Sequence, residues 1–220
     1  MMKIAIVGAG HIGGTLARRW TKLGHPVSIA NSRGPDSLKH LAAETGATPG
    51  TVTEIVRGAQ VVVVTIPMKN VPELPREAFH QLPDDTVVID TCNYYPQQRD
   101  GRIDAIEDGL PESRWVEQQL GHAVVKVFNN IMASHLLNDG RSPGTAGRIA
   151  LPVAGDDATA KNLVMRLVDE LGFDPVDAGN LDESWRQQPG TPAYVADRDA
   201  EGLREALMQA RPERTAEWRA

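Results

Sequence analysis

The chain has 220 residues, enough for one core-bearing domain plus a small appendage and too few for two large domains. Hydrophobic content of 41% and charged content of 24% are those of a globular protein, and a net charge of −6 excludes the basic face expected of a nucleic-acid binder. A single cysteine, Cys92, excludes an internal disulfide framework and fits a reducing cytoplasm, and neither an export leader nor an apolar run of membrane-spanning length is read.

Residues 3–7 form an apolar run of strand length. Gly8, Gly10 and Gly13 follow as G-x-G-x-x-G, and Ile12, Leu16, Trp20 and Leu23 recur at helical spacing. A strand that turns through three glycines directly into a helix is a dinucleotide-binding signal. Gly8 permits the tight turn, Gly10 lets backbone approach a pyrophosphate, and Gly13 lets helix and strand pack closely. Gly8, Gly10, His11, Ile12 and Gly13 are therefore expected at the pyrophosphate, with the positive end of the helix facing it. Residues 26–30 read as the second strand. Where an NAD-binding chain places a carboxylate for the ribose hydroxyls, this one has Asn31, Ser32 and Arg33. A guanidinium fork matches a phosphate, so the expected cofactor is NADP(H), with Ser32 and Arg33 on its 2′-phosphate.

A helix is predicted over 36–45, started by Asp36 or Ser37 and stopped by Gly46, and a second over 51–58. The β-branched run 60–66 reads as a central parallel strand and stops at Pro67. A short helix at 77–82, a buried strand at 85–90 and an exit loop at 91–96 follow. Residues 97–109 are polar and carry no clear element. A helix at 112–120 precedes a strand at 122–128, which runs into Asn129-Asn-Ile131. Residues 138–147 read as a surface loop, and 148–155 as a strand that Pro152 pushes toward a sheet edge. Asp156-Asp157 starts a helix that buries Ala160, Leu163, Val164, Leu167, Val168 and Leu171, and a last strand covers 173–177. The alternation predicts an α/β fold with a doubly wound parallel (Rossmann) sheet over 1–178. Residues 179–220 form an appendage, with one amphipathic helix at 201–210, that packs on the sheet or on a neighbouring subunit. A homodimer is expected, since the tail has little of its own to bury.

Five stretches, taken together, resemble the NADPH-dependent reductases similar to coenzyme F420:NADP oxidoreductase, to which the cytoplasmic reductase domain of the STEAP metalloreductases looks related. They are Val7-Gly-Ala-Gly-His-Ile-Gly-Gly14, Asn31-Ser-Arg-Gly-Pro35, Val64-Thr-Ile-Pro67, Val88-Ile-Asp90 with Asn93, and Val125-Lys-Val-Phe-Asn-Asn-Ile131. The resemblance spans roughly residues 1–175. It implies that Thr65, Ile66 and Pro67 line the nicotinamide side, that Asn93 sits near the nicotinamide or its ribose, and that Asn129 ends a strand on the same rim. It also implies a flavin, a deazaflavin or another small molecule as hydride acceptor. The long helical substrate domain of the β-hydroxyacid dehydrogenases, with its catalytic lysine, has no counterpart here. Residues 185–194 match no deazaflavin pocket.

Hydride transfer to a flavin-like ring needs two aligned rings out of water and little acid–base help. If a proton donor is required, His11 and His135 are the candidates. Lys69 and Lys126 read as isolated cations, Lys69 more simply as a solvated one. Asp90 with Cys92 lacks the cluster of a metal site. Trp115, Trp185 and Trp218 suit either ring stacking or packing of the appendage. Two alternatives stay open: an imine or carbonyl reductase, and a non-enzymatic NADPH-binding sensor.

Overall fold

A computed structural model describes residues 1–220. Six strands, β1 (Ile4–Val7), β2 (Val27–Ala30), β3 (Thr48–Pro49), β4 (Val61–Val64), β5 (Val87–Asp90) and β6 (Val124–Lys126), form one parallel sheet in the order β3-β2-β1-β4-β5-β6. The register sets Val7 beside both Ala30 and Val64, Val64 beside Asp90, and Asp90 beside Lys126. The carboxyl ends of five strands thus lie along one rim. The chain reverses direction across the sheet between β1 and β4, and ligands bind at the crevice such a reversal opens.

The strands are apolar throughout because both faces are covered. On one face Ile4, Ile6, Val61 and Val63 pack against Leu16 and Trp20 of α1 (His11–Lys22) and Val164 and Leu167 of α8 (Ala158–Glu170). On the other, Ala5, Val7, Val62 and Val64 meet Ile55 of α3 (Val52–Val56), Phe79 of α4 (Arg76–His80) and Val116 and Leu120 of α6 (Glu112–Leu120). The predicted helix at 36–45 divides into a 3₁₀ turn, Pro35–Leu38, and α2 (Lys39–Thr45). Neither Asp36 nor Ser37 caps it: the Asp36 carboxylate pairs with Lys39 (2.9 Å), and Ser37 Oγ accepts from Asn31 Nδ2 (2.8 Å). The stretch 97–109, where no element was predicted, is entered by a π turn, Pro96–Asp100, and holds α5 (Asp104–Glu107), and α7 (Ala133–Asn138) occupies a stretch where no helix was expected.

β7 (Ala150–Val153) and β8 (Asp174–Asp177) pair parallel in a separate two-stranded sheet. Its only ladder link to the main sheet is an antiparallel bridge, Lys126 to Ala154. Pro152 lacks an N–H to donate, which suits a short pair better than a central strand. The appendage buries its apolar face within the chain: Leu203, Ala206 and Leu207 of α9 (Ala200–Gln209) pack with Ala150 and Val176. No helix is long and apolar enough to cross a membrane.

Candidate dinucleotide site

The glycine motif acts as a steric lock. Gly8 sits at φ +115, and a Cβ there would overlap the Thr65 carbonyl of the neighbouring strand exit. A Cβ on Gly13 would overlap the Gly8 carbonyl. Close approach of α1, β1 and the β4 exit therefore requires both glycines. Gly10 is different. It has an ordinary φ of −76, and a Cβ built on it meets nothing within 4 Å. The fold does not need a glycine there, but a ligand lying on the backbone would. Gly10 is also the N-cap of α1, no side chain caps that helix, and its first turn holds no acidic residue. The leading amides of His11, Ile12 and Gly13 are left for an anion. These residues fit a pyrophosphate.

Two substitutions separate the roles. Gly13→Ala is expected to destabilise the fold by about 3 kcal/mol or more, since the obstructing atom is backbone. Gly10→Ala is expected to leave the melting temperature unchanged and to weaken NADPH binding at least roughly tenfold. Thermal unfolding paired with cofactor titration reads both, and a Gly10→Ala protein that binds normally would remove the argument.

A cleft of about 430 Å³ opens at the switch point. Gly8, Gly10, Asn31, Ser32, Arg33, Thr65, Ile66 and Pro67 line it, together with Glu73 and Leu74 of the following turn. His11 lines an adjoining groove of about 690 Å³ that shares Gly10 and Arg33 with the cleft. Ile12 and Gly13 contribute through the helix terminus. Asn31 shapes the loop: its Oδ1 accepts from the Arg33 amide (3.0 Å), and its amide donates to Ser37 Oγ (2.8 Å). That turn presents Ser32 and Arg33, both exposed, to the cleft.

Asn93 does not line this cleft. It is held in a reciprocal amide pair with Asn129: its Nδ2 donates to Asn129 O (2.9 Å), and Asn129 Nδ2 donates to Asn93 Oδ1 (3.1 Å). Gln187 of the appendage joins them, donating to Asn129 Oδ1 (2.9 Å) and accepting from Asn129 Nδ2 at its carbonyl (2.7 Å). The appendage thus closes over the rim beyond β5 and β6.

The exit loop that carries Asn93 is pinned by three buried carboxylates. Asp90 accepts from the Cys92 amide (2.8 Å), Glu112 from that of Tyr94 (3.1 Å), and Asp100 from that of Tyr95 (2.8 Å). Lys126 is no isolated cation. Its ammonium is fully buried, ion-paired with Asp90 (3.0 Å) and bonded to the Cys92 carbonyl, while Ser113 Oγ also donates to Asp90 (2.7 Å). Burial opposes the Lys126 charge, but Asp90 and Glu112 outweigh it and hold the pKa above the ordinary lysine range. Burial pushes the Glu112 carboxyl up against the opposing pull of Arg214, which donates to it at 2.5 Å from the appendage.

Sequence reasoning missed two further pairings. The hydroxyls of Tyr95 and Tyr194 are hydrogen-bonded, with Trp218 packed on both rings, so Trp218 serves as packing between appendage and rim. Burial and the Tyr95 hydrogen bond push the Tyr194 hydroxyl pKa up. His135 of α7 pairs through Nδ1 with Asp197 (2.5 Å). Phe128, Val195 and Asp197 all hold positive φ (62, 51 and 41), so non-glycine strain is concentrated where the β6 exit meets the appendage. Adjacent tyrosines in a loop, or an aspartate 62 positions from a histidine, carry no sequence signal of contact.

Strand order, a cleft at the switch point and an uncapped glycine-cradled helix define a Rossmann-type dinucleotide-binding protein. Residues 3–94 match the family described as NADP oxidoreductase, coenzyme F420-dependent. The hypothetical protein SMa0349 of Sinorhizobium meliloti is similar over 89% of this chain and 94% of its own, at 31% identity and a TM-score of 0.74. A structure from Arthrobacter sp. fb24, assigned as an F420-dependent NADP-reductase, shares the fold at 24% identity and a TM-score of 0.68, over 82% of this chain and 86% of its own. Escherichia coli (strain K12) protein YjhV is 46% identical over 77 residues, 34% of this chain and 56% of YjhV, so the match spans little more than half of that curated relative. The chain belongs to the F420-dependent NADP oxidoreductase family, a family of NAD(P)-dependent oxidoreductases.

Proposed function

We propose that the protein uses NADPH to reduce a flavin, a deazaflavin of the F420 kind, or another small acceptor. One observation carries this reading: the cleft combines an uncapped helix terminus beneath Gly10 with Arg33, not a carboxylate, at the β2 exit. The amides following Gly10 take the pyrophosphate, and Ser32 and Arg33 take the 2′-phosphate. Thr65, Ile66 and Pro67, which line the cleft, border the nicotinamide. Bound NADPH supplies a hydride from its nicotinamide ring. The chain's own contribution is to hold two planar groups in line and out of water. The family description and the assignment of the Arthrobacter protein support a deazaflavin among the acceptors.

The test is NADPH oxidation with FMN, riboflavin or F420 added in turn. Turnover with one of them is expected. Tight NADPH binding with no turnover against a broad panel would instead identify a sensor. A second reading, reduction of an imine or carbonyl, needs a proton donor in the cleft, and His135, whose Nδ1 lies 2.5 Å from Asp197, lines neither the cleft nor the adjoining groove. Activity confined to imines or carbonyls would select it.

A further inference from the structure

Beyond the glycine turn the cleft of about 430 Å³ has two walls. One is the β2 exit, Asn31 to Arg33. The other is the β4 exit, where the 3₁₀ turn Met68–Glu73 and its continuation bring Asn70, Glu73, Leu74 and Pro75 to the cleft. Val52 of α3 lines it as well, and Val52 and Leu74 pack on the same hydrophobic cluster, so this end of the cleft is apolar at its base. Just two charged side chains line the cleft, Arg33 from one wall and Glu73 from the other. They form no ion pair with each other. Arg33 engages its own loop only through its backbone amide, and the Glu73 carboxylate has no hydrogen-bond or ion-pair partner in the chain. The other acids of these segments are matched: Asp36 by Lys39, Glu44 by Arg18, Glu54 by Thr51 and Glu77 by Gln81. Arg76, three residues past Glu73, is spent on His80 and the Gln118 carbonyl.

We infer that Glu73 reads the adenine base of the cofactor, accepting a hydrogen bond from its 6-amino group while Arg33 takes the 2′-phosphate from the opposite wall. The inference rests on the NADP(H) reading above and extends it from the phosphate to the base. A 2′-phosphoadenosine carries an anion at one end, an amine at the other and flat apolar faces between. The cleft offers the complement of each: a guanidinium, a carboxylate, and the apolar surface of Val52, Leu74 and Pro75. The amino group is the one donor on the adenine ring, and an ionised carboxylate can only accept. Glu73 therefore favours a base edge that bears this amine and disfavours one that lacks it. The phosphate is kept from Glu73 by like charge and drawn to Arg33, which fixes the direction in which the adenosine lies.

The experiment is calorimetric binding of adenosine 2′,5′-bisphosphate and of purine riboside 2′,5′-bisphosphate, which has hydrogen in place of the 6-amino group. The affinity ratio of the two isolates that group. In the wild type adenosine is expected to bind about tenfold tighter, the scale of one hydrogen bond to a charged acceptor. Glu73→Ala should bring the ratio close to one, and Glu73→Gln, whose amide carbonyl still accepts, should keep part of it. Because Glu73 is exposed, both variants should fold. A wild-type ratio near one overturns the proposal. A ratio that survives in Glu73→Ala does the same, whether both probes weaken together, as when the carboxylate holds the ribose, or tighten together, as when it merely repels the phosphates. So does a ratio lost in Asn70→Ala and kept in Glu73→Ala. Adenosine 2′,5′-bisphosphate against adenosine 5′-monophosphate separates the two levels. Equal affinities there defeat the NADP(H) reading, while the base ratio stays measurable on the two 5′-monophosphates; a strong phosphate preference with no role for Glu73 removes only this inference.

Discussion

Arg33→Glu is expected to weaken NADPH binding by about two orders of magnitude and to leave NADH binding equal or slightly tighter. A charge-assisted contact to phosphate contributes roughly 1.5–3 kcal/mol, and the new carboxylate adds repulsion, for a total near 3 kcal/mol. The same carboxylate can accept from an unphosphorylated ribose, which is why NADH gains. The change should act on the site and not on the fold. Arg33 is exposed, and the turn that carries it is held by its backbone amide on Asn31 Oδ1, not by its guanidinium. The acids nearest along the chain are occupied, Asp36 by Lys39 and Glu44 by Arg18, so no protein partner is stranded. Fluorescence titration of both cofactors at low and moderate ionic strength measures the effect. The NADPH advantage of the wild type should shrink with salt and that of the variant should be absent at any salt. Equal losses for NADPH and NADH would mean that Arg33 supports the loop generally and does not read the phosphate.

What could be read from sequence was what local sterics dictate. The turn from β1 to α1 was legible because Gly8 and Gly13 are forced by backbone contacts within the motif and with the adjacent strand. β4 and β5 were legible because a strand buried on both faces must be apolar at every position. The cleft followed from these, since the strand ends align once the order is fixed. The contacts of the appendage were not legible, because they join distant positions through polar groups. Glu112 meets Arg214 and Asn129 meets Gln187 across 102 and 58 residues, and neither pair has a periodicity. Ala133 to Asn138 is one and a half turns with a single buried side chain, too little to show a helical stripe. Lys126 ends a strand, where a lysine ordinarily reaches water. Only the register that sets it beside Asp90, with α6 covering both, turns it into a core residue.

That buried pair yields the largest expected effect on stability. Lys126→Met is expected to cost about 3–5 kcal/mol, because it leaves the Asp90 carboxylate buried without its counter-charge. For a chain of this size each kcal/mol moves the melting temperature by roughly 2–4 °C, so the loss should approach or exceed 10 °C. Replacing both members is expected to be milder than replacing one. In Asp90→Asn with Lys126→Met the stranded charge is gone, and the asparagine carbonyl can still accept from the Cys92 amide. Ser113, which donates to Asp90, can rotate its hydroxyl to accept from the new amide instead. Urea unfolding followed by tryptophan fluorescence, on the wild type, both single variants and the double variant, measures the coupling directly. The double variant should recover more than half of the Lys126→Met loss. If the two losses simply add, the pair is not a unit. The ordering of residues 92–95 would then be owed to Glu112 and Asp100, the two remaining carboxylates that hold that loop's amides, and not to the Asp90–Lys126 pair.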